Sequence, residues 1–194
     1  AAKTELVLEN SYDESDLTLY GLGIGLARDP NDDVERAYVY ELDSNFQAFP
    51  SYGVMPQLNA MLAGAKEGTL ELPGMNFGFE RLLHGEHFTE IKRPLPTSAT
   101  LKHTFKLKEA WDKAPNAVVV FSVVSCDAET GEELMYNEMT AFIKGAGGWG
   151  GERGPSVDVN TPPDREPDAV IEDATDLNQT LLYRLSGDWN PLHA

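Results

Sequence analysis

Three residues near the end of the chain, Asp188, Asn190 and His193, fall within six positions. A carboxylate, an amide and an imidazole held together can orient a water and pass protons to and from it. Gly187, just ahead, permits backbone angles that other residues resist. Pro191 suits the first position of a helix, and Asp, Ser or Asn before it suits a cap. The pattern therefore predicts a helix mouth at which the three side chains converge. A capped helix start with a surface histidine uses the same residue types, and D-x-N-x-x-H is a short pattern.

The elements that must position this group come earlier. Leu177 to Leu185 reads as a helix, with Leu177, Thr180, Leu181 and Arg184 at helical spacing. Asp168 to Thr175 reads as a short strand, and the four prolines between Pro155 and Pro167 as a linker. Ala99 to Trp111, Ala117 to Cys126 and Leu134 to Lys144 form an expected antiparallel meander. Its first strand sets Leu101, His103, Phe105 and Leu107 on one face, and Glu129-Thr130-Gly131 turns the second hairpin.

Phe46 to Met61 leads into a helix made short or degenerate by Pro50, Pro56, Gly64, Gly68 and Pro73. Val54, Leu58, Met61 and Leu62 face the core. Residues 1–12 read as an extended arm. Asp13 to Asp16 cap a short helix over Leu17 to Leu26, and Val34 to Tyr40 is a helix or short strand. Gly21, Gly23 and Gly25 do not have G-x-G-x-x-G spacing, so close packing against another element is the better account of them. Strands around a helix give an α+β fold.

Two further stretches carry reactive side chains. Leu82 to His87 (LLHGEH) has two histidines and a glutamate, but it is not H-E-x-x-H, and Gly85 disfavours the helix that geometry needs. No metal site is expected; His84 and Glu86 read as structural polar groups. Gly145 to Gly154 has six glycines in ten residues and reads as a flexible end to the domain.

Composition narrows the partners. The net charge of −17, from 15 basic and 32 acidic residues, argues against nucleic acid and anionic lipid. An apolar fraction of 41% is enough for a packed core, and no apolar run has transmembrane length. The single Cys126 cannot form an internal disulfide, which fits a reducing compartment.

The segment Y-R-L-S-G-D-W-N-P-L-H, Tyr183 to His193, resembles the hydratase 2 motif of the MaoC-like (R)-specific enoyl-CoA hydratases. Tyr20 to Gly25 (YGLGIG), Phe49 to Val54 (FPSYGV), Leu83 to Glu86 (LHGE), Gly147 to Gly151 (GGWGG), Pro167 to Val170 and Leu177 to Gln179 also resemble, in order, the hydratase 2 part of peroxisomal multifunctional enzymes of type 2. The resemblance implies an α+β hot-dog fold within a double hot dog. Residues 1–150 would be the N-terminal, acyl-binding repeat, 151–168 the linker, and 169–194 the start of the second repeat with its motif.

The same resemblance implies reversible hydration of a trans-2-enoyl-CoA to a (3R)-3-hydroxyacyl-CoA, with Asp188 as main acid/base, His193 as its partner and Asn190 as positioner. Glu41 is a secondary candidate, alternatively paired with Arg36 or capping Asp43 to Phe46. His84, Gly85, Arg184, Trp149 and Arg153 are candidate substrate contacts. In that reading the glycine-rich amides and Arg153 approach coenzyme A phosphates and Trp149 stacks on adenine, with Lys92-Arg93 also available against the acidic global field. Coenzyme A is part of the substrate and no separate cofactor is implied. A homodimer and a peroxisomal location follow from resemblance alone. The family's thioester-polarising glycine amide lies downstream of the motif, so the 194 residues alone are expected to show little or no hydratase activity. A hot-dog thioesterase, a dehydratase acting on an acyl-carrier protein and a non-catalytic acyl-CoA-binding module are the alternatives.

Overall fold

A computed structural model of the chain describes residues 5–68, 70–71, 79–156 and 161–188. The three meander strands form as expected: β3 (Ala99–Lys113), β4 (Asn116–Asp127) and β5 (Glu133–Ile143), all antiparallel. Two more strands widen the sheet. The N-terminal arm is β1 (Leu6–Tyr12), which pairs with β3, and the LHGE stretch lies in β2 (Leu82–Ile91), which pairs with β5. The strand order is β1-β3-β4-β5-β2. Alternation decides which face is buried. Val119, Phe121 and Val123 of β4 meet Met139, Ala141 and Ile143 of β5 and Phe105 of β3 on one side. Leu107 keeps the expected register, opposite Phe121, but is 36% exposed where the buried face ends, and the bulge between Leu107 and Glu109 follows it.

Across that face lies α3 (Met55–Glu67), entered through a 3-10 turn at Pro50–Val54. Here the structure corrects the expectation of a degenerate helix: α3 runs 13 residues. Pro56 sits in its first turn, where a missing N–H costs nothing, and Gly68 ends it in the left-handed region at φ +70°. Met55, Ala60 and Met61 are buried beneath it, and Met61 joins the Phe105–Phe121–Met139 cluster. Each of the two methionines contributes about 1.5–3 kcal/mol on burial. A five-stranded antiparallel sheet wrapped on one helix is the hot-dog arrangement, α+β.

α1 (Glu14–Gly23) starts with a capping box, Asp13 accepting from Ser15 and Asp16 N–H while Asp16 accepts from Asp13 N–H. Val34 to Tyr40 gives only a one-turn helix, α2 (Asp33–Arg36). The strand expected at Asp168 to Thr175 does not form; that stretch has no regular hydrogen-bonded structure and is exposed throughout. It pairs with neither edge of the sheet, and Arg28 reaches it through Asp173 (2.9 Å) and, just beyond, Asp176 (3.4 Å). α4 (Gln179–Arg184) then packs on α1.

Candidate active site

Small residues bring the motif to the fold. α4 crosses α1 at Gly23, where an added Cβ would lie 3.0 Å from Tyr183 Cα, so the close-packing reading of that glycine holds. Tyr183 turns inward beside Tyr20, ring centroids 6.2 Å apart, and its hydroxyl reaches Met55 Sδ at 3.7 Å. Burial, then the neighbouring Tyr20 and the Asp188 charge, push the Tyr183 phenol up to about 12, so it stays protonated at neutral pH. Gly187 follows at φ +122°, a left-handed conformation, and a Cβ there would run into Asn59 Oδ1 of α3. The Asn59 amide donates to Ser186 O at 3.0 Å. Wedged between α1 and α3, this turn delivers Asp188 to a cavity of about 150 Å³.

The cavity wall is mostly apolar: Val54, Leu58, Met61, Phe105, Val123 and Met139. Its polar groups are Asp188, His84, His87, Gln57 and Tyr183. Both histidines face inward because of a bulge between His84 and Glu86; before it His84 is opposite Ala141, after it His87 is opposite Met139. Gly85 sits at that bulge and is exposed. So the local signal was a strand irregularity, and the histidine pair lies on a strand, not a helix.

Hydrogen bonding orders the pair. Asn137, wholly buried, donates from Nδ2 to Gly53 O at 3.3 Å, which fixes its amide orientation. Its Oδ1 then accepts from Thr89 Oγ1 (2.7 Å) and from His87 Nε2 (3.0 Å). With Nε2 carrying the proton, neutral His87 accepts at Nδ1 from His84 Nε2, 3.1 Å away. Burial lowers the His87 pKa; the Asn137 bond opposes this and the His84 charge adds to it. A second network repeats the scheme nearby. Asn10 donates to Pro56 O at 2.9 Å and accepts from His103 Nε2 at 2.8 Å, while Ser125 Oγ lies 2.7 Å from His103 Nδ1. Desolvation lowers His103 to about 4.

The remaining candidates lie elsewhere. Asn190 and His193 fall outside the described residues. Glu41 lines a different, open cleft with Glu14, Thr18 and Leu22. Its expected partner Arg36 instead binds Asp43 (3.0 Å) and Asp33 (2.7 Å). Arg184 is half-buried in the last turn of α4. The glycine-rich stretch is neither a flexible end nor an open phosphate cradle. Gly148 and Gly150 donate to Asp112 at 2.7 and 2.8 Å, and Gly147 donates to Pro115 O. The Gly148 bond leads the causes that hold the Asp112 carboxyl below its usual range. This ties the loop backbone to the β3–β4 hairpin, where Asp112 pairs with Ala117, and leaves Trp149 and Arg153 exposed. Val123 on the cavity wall is six residues further along β4, about 20 Å at strand rise. Sequence reasoning missed His87, Asn137 and Gln57 as site residues; only the inward alternation of β5 hinted at a buried Asn137.

The chain is 42% identical over 191 residues to the peroxisomal hydratase-dehydrogenase-epimerase of Neurospora crassa, covering 95% of this chain and 20% of that protein. It is 41% identical to mouse peroxisomal multifunctional enzyme type 2, covering 95% and 24%. It thus spans a fifth to a quarter of the length of these relatives. Among solved structures, full-length peroxisomal multifunctional enzyme type 2 from Drosophila melanogaster superposes with a TM-score of 0.73 at 34% identity, over 96% of this chain and 31% of that one. A MaoC-like dehydratase from Phytophthora capsici gives 0.76 at 28% identity, over 98% and 63%. The family model described as the MFE-2 hydratase 2 N-terminal domain matches residues 10–145, more than half the chain, and the chain belongs to that family.

Proposed function

We propose that the protein carrying this chain adds water reversibly to trans-2-enoyl-CoA, giving (3R)-3-hydroxyacyl-CoA, as a lyase of fatty-acid β-oxidation. The observation that carries the reading is the entry of the Asp188 carboxylate into an apolar cavity beside two imidazoles. The acyl chain lies along Leu58, Met61, Phe105 and Met139. Asp188 and His193 hold one water, oriented by Asn190. As the water oxygen bonds to C3, its proton passes to Asp188. The π electron pair of the C2=C3 double bond moves toward the thioester, and C2 then takes the proton held by Asp188, from the same face. Donors aimed at the developing enolate oxygen would supply the largest share of the rate. Coenzyme A enters as part of the substrate, and the steps use no other cofactor. A peroxisomal setting is supported by the names of the relatives, and a homodimer of double hot dogs by family resemblance.

The test is the full protein with Asp188→Asn. Loss of enoyl absorbance should slow by about two to four decades in kcat with KM nearly unchanged. An unchanged kcat removes Asp188 from the chemistry, and thiol release in place of hydration identifies a thioesterase.

A further inference from the structure

Of the polar side chains described on this wall, Gln57 alone has both polar atoms buried without a partner; off the wall, Asn59 Oδ1 and Ser186 Oγ are unpartnered too. Gln57 is 3% exposed, yet neither Nε2 nor Oε1 has a hydrogen-bond partner among the described residues. Nearby Asn10, His103, Ser125, His87 and Asn137 are all bonded within the protein. Gln57 lies in the first turn of α3, between Val54 and Leu58 on the cavity lining. Burying an amide with no partner is costly, and an apolar side chain would pack there more cheaply. The cavity holds on the order of five waters at about 30 Å³ each. Groups that line so small a space address the same few ligand atoms.

Both ends of the amide are open, one donor and one acceptor. A thioester carbonyl would satisfy only the donor. A hydroxyl or a water, which gives and takes a hydrogen bond, satisfies both. We propose that Gln57 binds the C3 oxygen of the substrate: the attacking water in hydration, the 3-hydroxyl in the reverse direction. Gln57 then selects a 3-hydroxyacyl group over a saturated acyl group of equal length. The proposal rests on the acyl-CoA reading above.

The experiment measures calorimetric binding of (3R)-3-hydroxyacyl-CoA and saturated acyl-CoA of the same length to the full protein in an Asp188→Asn background, which prevents turnover. Gln57→Leu should reduce the preference for the hydroxylated ligand about five- to tenfold, the size of one neutral hydrogen bond. Binding of the saturated ligand should not change. The melting temperature of the free variant should rise, because the unpartnered amide is gone; a structural role predicts a fall. Gln57→Met, unbranched and of similar length, repeats the test should Leu fit poorly. Equal ligand ratios in parent and variant overturn the role of Gln57 alone. If neither ligand binds the parent, the acyl-CoA reading falls, and Gln57 with it.

Discussion

Acid should weaken this fold through one imidazole. His103 is wholly buried between Asn10 and Ser125 and is held neutral, its pKa brought from 6.5 to about 4 by desolvation. In the unfolded chain it titrates near 6.5, so between those values the unfolded state binds more protons. Stability then rises with pH across the window: it is complete above about 6.5 and is lost as pH falls toward 4. At about 1.4 kcal/mol per pKa unit, the loss from pH 7 to pH 4 is on the order of 3 kcal/mol. The perturbation is His103→Gln, which keeps a donor for Asn10 and an acceptor for Ser125 but cannot titrate. Urea unfolding midpoints would be followed for both proteins over that range. Asp43, Asp112 and Asp127 are held below the usual carboxylate range, and their protonation destabilises both proteins alike at the acid end. The difference between the two curves isolates residue 103. Wild type should lose its advantage below about pH 6.5, whereas parallel curves would refute the buried-neutral account.

Other perturbations separate delivery of the carboxylate from the chemistry itself. Gly187→Ala in the full protein should lower kcat at least tenfold in an enoyl-CoA hydration assay, since the new methyl meets Asn59 in a left-handed backbone. Wild-type activity in that variant would show that the turn does not set the carboxylate. Asp112→Ala should free the Gly148 and Gly150 amides, seen as faster hydrogen exchange in residues 147–151, with kcat unchanged. Phe121→Ala, at 0% exposure in the main cluster, should cost about 3–5 kcal/mol in chemical denaturation, and a cost below 1 kcal/mol would contradict the packing described.

Alternation made β3 readable, while β4 was readable as a β-branched, nearly all-apolar run; none of its residues is exposed. The arm that became β1 was harder to read; an edge strand of seven residues has few inward positions, and its burial depends on pairing with β3. Local signals misjudged α3 because prolines and glycines mark its ends, while Met61 and its neighbours in the sheet supply its stability. For the site, the motif identified Asp188, but the cavity joins residues 54 to 188, and no spacing rule links α3, β2 and α4. The glycine-rich loop was misread since its ordering partner, Asp112, lies on another strand.

The fit of residue 187 against Asn59 bears on engineering. Moving the Ser186-Gly187-Asp188 turn into another scaffold transfers an acid but not the depth at which it works. The recipient needs an amide side chain one turn into its central helix and a missing side chain where the crossing helix rests, as Asn59 and Gly23 supply here. A library that varies the motif while holding those two sites constant samples substitutions at a fixed depth. One that varies all three at once samples mostly misplaced carboxylates.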